Sequence, residues 1–321
     1  MLTALNQKHQ KVLAQHALKA ECYYCPICKE KVILRQGQHK IAHFAHQKDC
    51  TSHFKYQSES FEHLQYKMHL YQQFLNQGYS VRVEEWIPYI QQVPDIIVGQ
   101  TAIEVQLSSI SPNQLQNRTN GLIKAGYDVI WLTRLPVTKK GLFQLSQLHQ
   151  SCINISKREL LCIEPSTLDL IRLTHLIPIT SKQFYAQKEV MTVVQCVNMT
   201  SPSYENHCPV RKLSTSRILS YLAQCRRKNS VLEPTLSLAY RLQLSDTKIC
   251  KLTGYLFPEQ LYFHTHPVLW QLTILYCLQC KVPAYESLKE LMKIRSFYHF
   301  NIQIEEIIQV IIRKYCKFLK I

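Results

Sequence analysis

The sequence has few acidic residues, few glycines and no long apolar run. Its 321 residues include 22 Asp and Glu against 38 Lys and Arg, which gives a formal net charge of +16. This surplus favours a polyanionic partner, nucleic acid first and an anionic membrane surface second. With only 7 Gly and 13 Pro, long flexible linkers are not expected. The 46% hydrophobic content supports a buried core and argues against wholesale disorder.

Signals for membrane insertion and secretion are also missing. The apolar run at residues 268–278 is shorter than the roughly 18 residues that span a bilayer, and Gln271 interrupts it. The first residues contain no apolar segment typical of a signal peptide. The 13 cysteines are an odd number without the spacing of a small disulfide scaffold. We therefore expect a cytoplasmic protein with free, buried thiols and no membrane span.

Composition divides the chain into three regions and predicts a fold of the α+β or α/β class. Residues 1–56 hold six of the 14 histidines and four of the 13 cysteines, which indicates a small zinc-finger-like module. Residues 57–152 alternate between helical and strand periods. Residues 153–321 are Leu-rich and basic, and they predict a mainly helical C-terminal domain.

The middle region predicts the element order helix, three strands, helix, strand. A helical stripe covers residues 58–76, and strands follow at residues 79–86, 93–98 and 102–107. The short polar link between the last two strands predicts a hairpin. Ser111 and Pro112 are typical of a helix start, and Gly126 marks its end before a strand at residues 127–133. Strand, helix and strand in this order predict a parallel crossover.

Two acidic residues lie on the strands of this hairpin. A side-chain period of two places Glu104 and Gln106 on one face, and the hairpin brings Asp95 beside Glu104. Two close carboxylates repel each other unless a cation lies between them. Their oxygens suit Mg²⁺ or Mn²⁺, which polarises a phosphodiester and lowers the pKa of a bound water. The pair predicts a metal centre; the alternative is a turn residue and a solvated strand acid.

The N-terminal region contains two short ligand pairs. Cys25 and Cys28 are followed by His43 and His46, with a hairpin-like loop between the pairs, as in a tetrahedral structural zinc site. Cys22 forms an equally good pair with Cys25, and Cys50 is a further thiol nearby; Pro26 favours Cys25 and Cys28 because it fits a knuckle turn. The alternative is a set of ordinary buried thiols and histidines.

Basic side chains offer further contacts to nucleic acid. Gln114 and Arg118 lie four apart on the second predicted helix, where they can face a phosphate backbone. In the C-terminal region a run of six basic residues without an acid predicts a phosphate-contacting surface. A solvated helix face is the alternative in both cases. The run consists of Arg211, Lys212, Arg217, Arg226, Arg227 and Lys228.

These motifs together resemble the competence protein CoiA family, a member of the PD-(D/E)xK nuclease superfamily. The resemblance covers residues 20–135. It rests on CPIC at 25–28, HFAH at 43–46, ESFEH at 59–63 with Lys67, PDI at 94–96, IEVQLS at 103–108, Arg118 with Thr119, and VIWL at 129–132. Each motif alone is weak, whereas their order and combination are specific. The resemblance implies a restriction-endonuclease-like core.

The resemblance assigns roles to individual residues. It implies that Asp95 and Glu104 bind the metal and that Gln106 replaces the superfamily's Lys, with only neutral hydrogen bonds to offer. It implies a third acid on the first helix, for which we favour Glu62 over Glu59, and DNA contacts from His63 and Lys67. Gly121 and Leu122 occupy a place where the family tends to have Tyr.

The resemblance also implies a biological setting. The expected function is action on incoming, single-stranded DNA during natural transformation, through a Mg²⁺-dependent nuclease core. The alternative is a non-catalytic DNA-binding or recombination-accessory protein that retains the nuclease fold and loads recombination proteins. A third interpretation is a basic zinc-containing scaffold whose acidic pair is structural.

Overall fold

A computed structural model describes residues 1–37, 40–47, 59–198, 210–230, 232–300 and 303–320. It confirms a mixed α/β fold built on a mixed sheet with helices. The chain divides into two compact units. The first contains residues 1–135, 160–172 and 188–201, and the second contains 136–159, 173–187 and 202–321. These limits differ from the three predicted regions, because segments after residue 153 return to the first unit.

The elements up to residue 134 begin with five short strands and continue in the order helix, three strands, helix, strand. They are β1 (Thr3–Leu5), β2 (Lys11–Leu13), β3 (Tyr23–Tyr24), β4 (Lys31–Gly37), β5 (Lys40–His46), α1 (Phe61–Asn76), β6 (Val81–Val83), β7 (Ile96–Val98), β8 (Thr101–Val105), α2 (Pro112–Lys124) and β9 (Asp128–Arg134).

The elements after residue 134 mix strands and helices at first and are then mainly helical. They are β10 (Thr138–Lys139), β11 (Leu142–Gln144), α3 (Gln147–Ser151), β12 (Leu160–Ile163), β13 (Leu170–Pro178), β14 (Gln183–Met191), α4 (Val193–Val197), β15 (Arg211–Lys212), α5 (Thr215–Arg227), α6 (Pro234–Arg241), α7 (Asp246–Leu252), β16 (Tyr255–Leu256), α8 (Pro267–Gln279), α9 (Ala284–Leu291) and α10 (Ile304–Leu319).

The N-terminal residues form a five-stranded sheet with the order β2-β1-β3-β4-β5. The β4–β5 hairpin covers the segment that follows Cys28, and its second strand carries the second ligand pair, His43 and His46. This sheet packs on the rest of the first unit through Leu2, which clusters with Leu64 of α1 and Val83 of β6. The zinc-ribbon class of this module stays a prediction.

The central sheet of the first unit has the order β12-β9-β8-β7-β6. Strands β6, β7 and β8 pair antiparallel, whereas β8 with β9 and β9 with β12 pair parallel. Ser111 caps α2, and Pro112 is its first residue, as predicted. Strand β6 is shorter than predicted because Glu84 has φ +48 and leaves the extended conformation. The restriction-endonuclease-like class of this arrangement also stays a prediction.

The prediction of a mainly helical region from residue 153 is wrong for its first part. Residues 160–191 form three strands, and β12 pairs parallel with β9. Short apolar segments such as LLCI at 160–163 fit a buried helix or a buried strand, and periodicity alone does not separate the two. From Thr215 onward the prediction agrees with α5 to α10.

The second unit is built around its helices. Buried residues of α5, α6, α7 and α8 share one apolar cluster, which includes Leu222, Ala239, Ile249 and Leu272. Within the described ranges, no helix combines the length and the apolar character needed to cross a membrane.

Candidate functional site

The strand register brings the two predicted metal ligands together. Ile96 pairs with Ile103 across the β7–β8 hairpin, so Asp95 and Glu104 are the next opposing pair. Both residues are buried, with 8% and 1% of their surfaces exposed. A solvated strand acid is therefore excluded for Glu104.

The two faces of β8 pack against different helices. Ile103 and Val105 belong to the apolar cluster that contains α1, whereas Ala102 clusters with Leu122 of α2. Glu104 shares the α2 side with Ala102 because strand side chains alternate. Its neighbour across the parallel pairing with β9 is Trp131.

Glu104 is held by Arg118 of α2. Arg118 Nη2 donates to Glu104 Oε2 at 2.7 Å, and its guanidinium lies 5.5 Å from the centre of the Trp131 ring. Glu104 Oε1 is buried and accepts no hydrogen bond from the described part of the chain. Burial raises the pKa of Glu104 to about 7; the Arg118 charge opposes this shift, and the Asp95 charge adds to it. Glu104 therefore has one oxygen available to a cation.

Asp95 carries its negative charge among donors. Its Oδ2 accepts from the Val105 backbone N–H at 2.8 Å and lies 3.2 Å from His63 Nε2, while Oδ1 lies 3.4 Å from Lys67 Nζ. Burial by itself would raise the pKa of Asp95, but Lys67 and His63 outweigh it and hold that pKa well below its usual range. Asp95 is thus ionised beside a Glu104 that titrates near neutrality.

Lys67 is a fully buried cation at the centre of the cluster. Its ammonium donates to Glu59 and, at 2.6 Å, to Glu84, and lies 3.4 Å from Asp95. Burial opposes protonation, but the charges of Glu84, Asp95 and Glu59 raise the pKa of Lys67 overall. The prediction that Lys67 contacts DNA is wrong for this structure, because its charged end reaches carboxylates and not the surface.

His63 connects two acids of the same cluster. Its Nδ1 lies 3.3 Å from Glu59 and its Nε2 lies 3.2 Å from Asp95. Burial would lower the pKa of His63, but the charge of Asp95 and its hydrogen bond raise it overall. Glu59, His63 and Asp95 each offer one ligand atom within 4.8 Å of the others. His63, predicted as a DNA contact, therefore lies in a potential metal-ligand set.

The helix acid in the cluster is Glu59 and not the favoured Glu62. Glu62 accepts from Tyr66 at 2.6 Å and forms an ion pair with Arg134 of β9. Glu59 precedes the N-cap Ser60, and its side chain reaches His63 and Lys67. The sequence could not separate these acids because both lie near the helix start, where acids are favoured by the helix dipole alone.

The two predicted glutamines lie in local contacts. The Gln106 amide donates to the Ser108 backbone oxygen at 2.8 Å and to its hydroxyl at 3.1 Å. Gln114 Oε1 accepts from the Ser111 backbone N–H and hydroxyl, which completes a capping box at the start of α2. Neither contact joins a glutamine to Asp95 or Glu104.

Glu84 and the contact between Thr119 and Trp131 are functional-site features that sequence reasoning missed. The Glu84 carboxylate accepts from the Leu2 and Thr3 backbone N–H groups, and the charge of Lys67 lowers its pKa to about 2 against the effect of burial. Trp131 Nε1 donates to Thr119 Oγ1 at 3.0 Å and thereby fixes α2 above β9. Glu84 and Leu2 are 82 positions apart, so no local pattern announced their contact.

Three of the four predicted zinc ligands come together in the N-terminal sheet. Ligand atoms of Cys25, Cys28 and His46 all lie within 4.8 Å of one another. His43 is outside this group: its Nδ1 lies 2.9 Å from the Ile41 backbone oxygen, and two strand residues three apart point to opposite faces. Cys22 is not in the group formed by the described residues, and Cys50 lies outside those residues.

The basic run of the second unit is partly neutralised by acids from other parts of the chain. Arg226 pairs with Asp246 at 2.6 Å, and Lys228 lies 3.4 Å from Glu233. Lys212 donates to the Lys251 backbone oxygen and to the Tyr255 hydroxyl. Arg211 stacks on the Tyr185 ring at 3.8 Å, and Arg227 is exposed. The run is therefore not the unopposed charged surface that the sequence predicts.

Comparison with known proteins places these features in one family. The model of the competence protein CoiA nuclease-like domain matches residues 59–201, and that of the CoiA N-terminal domain matches residues 5–55. Competence protein CoiA of Bacillus subtilis (strain 168) is 32% identical over 184 residues, which are 55% of this chain and 49% of the relative. The chain thus spans about half the length of this curated relative. No solved structure matches the chain. Both models describe domains of competence protein CoiA, and the chain belongs to the competence protein CoiA family.

Proposed function

We propose that the chain acts on incoming DNA in competence through a metal-dependent phosphodiesterase site with a restriction-endonuclease-like core. The observation that carries the proposal is the buried pairing of Asp95 with Glu104, whose Oε1 has no partner within the described residues. A buried carboxylate oxygen without a donor is costly unless a proton or cation satisfies it.

The donor set suits a divalent cation. Asp95 and Glu104 would hold Mg²⁺ or Mn²⁺, with Glu59 and His63 close enough to Asp95 to complete the ligands. An imidazole among carboxylates favours Mn²⁺ over Mg²⁺. When bound, the ion would polarise the phosphodiester and lower the pKa of a water.

Arg118 has a role that Gln106 does not fill. Its guanidinium pairs with Glu104 and has 36% of its side chain exposed, so it can also face a phosphate. Arg118 would stabilise negative charge at the phosphate, as the superfamily's Lys does, whereas the Gln106 amide is neutral and donates to Ser108.

A non-catalytic DNA-binding or recombination-accessory role is the second candidate, with recombination proteins as its partners. It is favoured by the internal cations of the cluster. Lys67 already contacts Glu59, Glu84 and Asp95, and Arg118 already pairs with Glu104. Such a cluster is balanced without a metal, and a fold of this kind can bind DNA without cleaving it.

A cleavage assay separates the two candidates. Wild type, Asp95→Ala and Glu104→Ala are compared on single- and double-stranded DNA with Mg²⁺ or Mn²⁺. Asp128→Ala is the matched control, because Asp128 is an exposed acid on β9 of the same sheet. We expect cleavage by wild type and the control, preferentially of single strands, and its loss in both site variants. No cleavage by wild type, with DNA affinity equal in all four proteins, would establish the accessory role.

We also propose that Cys25, Cys28 and His46 hold a structural zinc ion. Burial lowers the pKa of His46 and so favours the neutral imidazole that binds metal. Cys25 Sγ accepts from the Ile27 backbone N–H at 3.4 Å, as metal-bound thiolates do. Metal analysis of the purified protein should find one zinc per chain in wild type and in Cys280→Ser, an exposed-thiol control, but not in Cys28→Ser. Absence of zinc from wild type would refute the site.

A further inference from the structure

Helices α6 and α7 of the second unit are joined by a very tight turn. Only residues 242–245 separate Arg241, the last residue of α6, from Asp246, the first residue of α7. Two helices joined by three or four residues are the frame of the helix-turn-helix motif. The motif also needs a sharp chain reversal and a third helix, and both are present.

The chain reverses through a Schellman motif. The Leu244 backbone N–H donates to Ala239 O, and the Gln243 backbone N–H donates to Tyr240 O, each at 3.0 Å. Gln243 has φ +52, the left-handed conformation that this position requires. Ser245 follows at once and caps α7 by accepting from the Lys248 backbone N–H. Every residue between the two helices therefore belongs either to the Schellman motif of α6 or to the cap of α7.

The helices pack with α5 around a common core. Ala239 of α6 and Ile249 of α7 are buried in one cluster with Ile218 and Leu222 of α5. The Arg226–Asp246 ion pair also ties the end of α5 to the start of α7. These contacts bury one side of α7 and leave Thr247, Lys248 and Lys251 exposed on the other.

Charge indicates which partner fits the exposed side. Residues 210–256 contain nine Lys or Arg and two acids, Glu233 and Asp246. Both acids are paired, with Lys228 and Arg226 respectively. Within the described residues, no acid pairs with Lys248 or Lys251. A basic helix face on a helix-turn-helix frame is complementary to the phosphates that line a DNA groove.

We propose that α5, α6 and α7 form a helix-turn-helix element that binds double-stranded DNA, with the Thr247, Lys248 and Lys251 face of α7 entering the major groove. Like the proposed function, this proposal concerns DNA, but it involves different residues and double-stranded instead of single-stranded DNA. It requires neither the metal centre nor cleavage.

The test measures binding of the full chain to DNA in EDTA, which removes divalent cations and so inactivates a metal-dependent site. A fluorescein-labelled duplex of about 30 base pairs, three turns of B-DNA, is titrated between about 50 and 200 mM salt. The variant is Lys248→Gln with Lys251→Gln. The matched control is Lys139→Gln with Lys140→Gln, which removes the same charge from the exposed β10–β11 hairpin.

We expect the α7 variant to bind the duplex roughly tenfold more weakly, with a salt slope about two units shallower, because each lysine contacts one phosphate. The control should bind as wild type does, and both should keep the wild-type thermal midpoint. Thr247→Glu, which places a like charge against the backbone, should also weaken binding. Equal affinities and slopes in the α7 variant and the control would overturn the proposal, as would failure of wild type to bind the duplex.

Asp95→Ala, measured in the same duplex-binding assay, distinguishes the proposed α7 site from the proposed site at the acid cluster. Unchanged duplex binding in this variant, together with its loss of cleavage, supports two separate DNA sites. Loss of duplex binding in Asp95→Ala with the wild-type thermal midpoint would place the duplex at the acid cluster and overturn the role of α7.

Discussion

In the first unit Lys67 is fully buried among three carboxylates, whereas in the second unit Lys248 and Lys251 are exposed on one face of α7. The buried cation is surrounded by acids from three different segments, at Glu59, Glu84 and Asp95. The exposed cations meet no acid among the described residues. The charge of Lys67 is therefore balanced inside the first unit, whereas the charges of Lys248 and Lys251 in the second unit remain exposed to solvent.

This difference separates stability from binding. Removing a buried, paired charge leaves its partners desolvated and unpaired, which is strongly destabilising. Removing an exposed charge changes the free energy of unfolding little, but it weakens the attraction of a polyanion. Substitutions in the two places should therefore be detected by different measurements, and the comparison can be tested residue by residue.

The largest effect is expected from Lys67→Met. The substitution removes the cation that contacts Glu59, Glu84 and Asp95, and it should lower the free energy of unfolding by about 3–5 kcal/mol. Denaturant unfolding followed by circular dichroism measures the change. If the acid cluster also binds metal, Mn²⁺ should restore more stability to this variant than to wild type, because a divalent cation would replace the ammonium.

Lys124→Met is the matched control for Lys67→Met. Lys124 lies exposed in the last turn of α2, where the change should stay within about 0.5 kcal/mol. Equal losses in the two variants would contradict the central position of Lys67 in a buried charge network.

The next effect concerns the pH dependence of the free energy of unfolding, to which Glu104 contributes and which Glu104→Gln should change. Burial raises the pKa of Glu104 from its ordinary value of 4.5 to about 7, so the folded state binds this proton more tightly than the unfolded state. The Glu104 contribution to the free energy of unfolding should therefore fall by roughly 3 kcal/mol as the pH rises from about 4.5 to about 7. His63, with a raised pKa, adds a loss of the same sign at the upper end of this range.

The difference in the free energy of unfolding between wild type and Glu104→Gln should therefore decrease as the pH rises from 5 to 8, because the contributions of the histidines, His63 among them, remain in both proteins. Glu85→Gln is the control, because Glu85 is an exposed acid paired with Lys11 and should leave the wild-type slope intact. A Glu104→Gln slope equal to that of wild type would show that Glu104 titrates normally, and it would remove the electrostatic argument for a cation at this site.

The accuracy of prediction from sequence depended on how local each interaction is. The helix start at Ser111, the hairpin between β7 and β8, and the opposition of Asp95 and Glu104 follow from spacing within a few residues. The hairpin between the zinc-ligand pairs was equally local. Such features follow from strand periodicity and turn chemistry alone.

The features that were missed depend on distant contacts. The sequence predicts a DNA contact for Lys67 because nothing near it in sequence shows that Glu84 and Asp95 converge on it. The sequence favours Glu62 over Glu59 because Glu62 adjoins His63 in the family-like segment, and the pairing of Glu62 with Arg134 of β9 is a distant contact that the sequence does not show. The sequence predicts helix over residues 160–191, where the structure has strands, because the apolar runs of this segment carry no decisive period. Burial and partners of charged groups are tertiary properties.

The smallest expected effect concerns the turn between α6 and α7, which positions the exposed lysines of α7. Gln243 adopts φ +52 at the end of α6. This left-handed conformation is energetically unfavourable for a residue with a side chain but almost free of strain for glycine. Gln243→Gly should therefore raise the free energy of unfolding by about 0.5–1 kcal/mol. Gln224→Gly, at an exposed position inside α5, should lower it by a similar amount, because glycine is a poor helix former there. Thermal unfolding of both variants measures the two changes. Changes of opposite sign in the free energy of unfolding of the two variants would support the tight turn between α6 and α7, and with it the exposed face of α7. If both variants are destabilised, Gln243 does not occupy the left-handed position that the helix-turn-helix element requires.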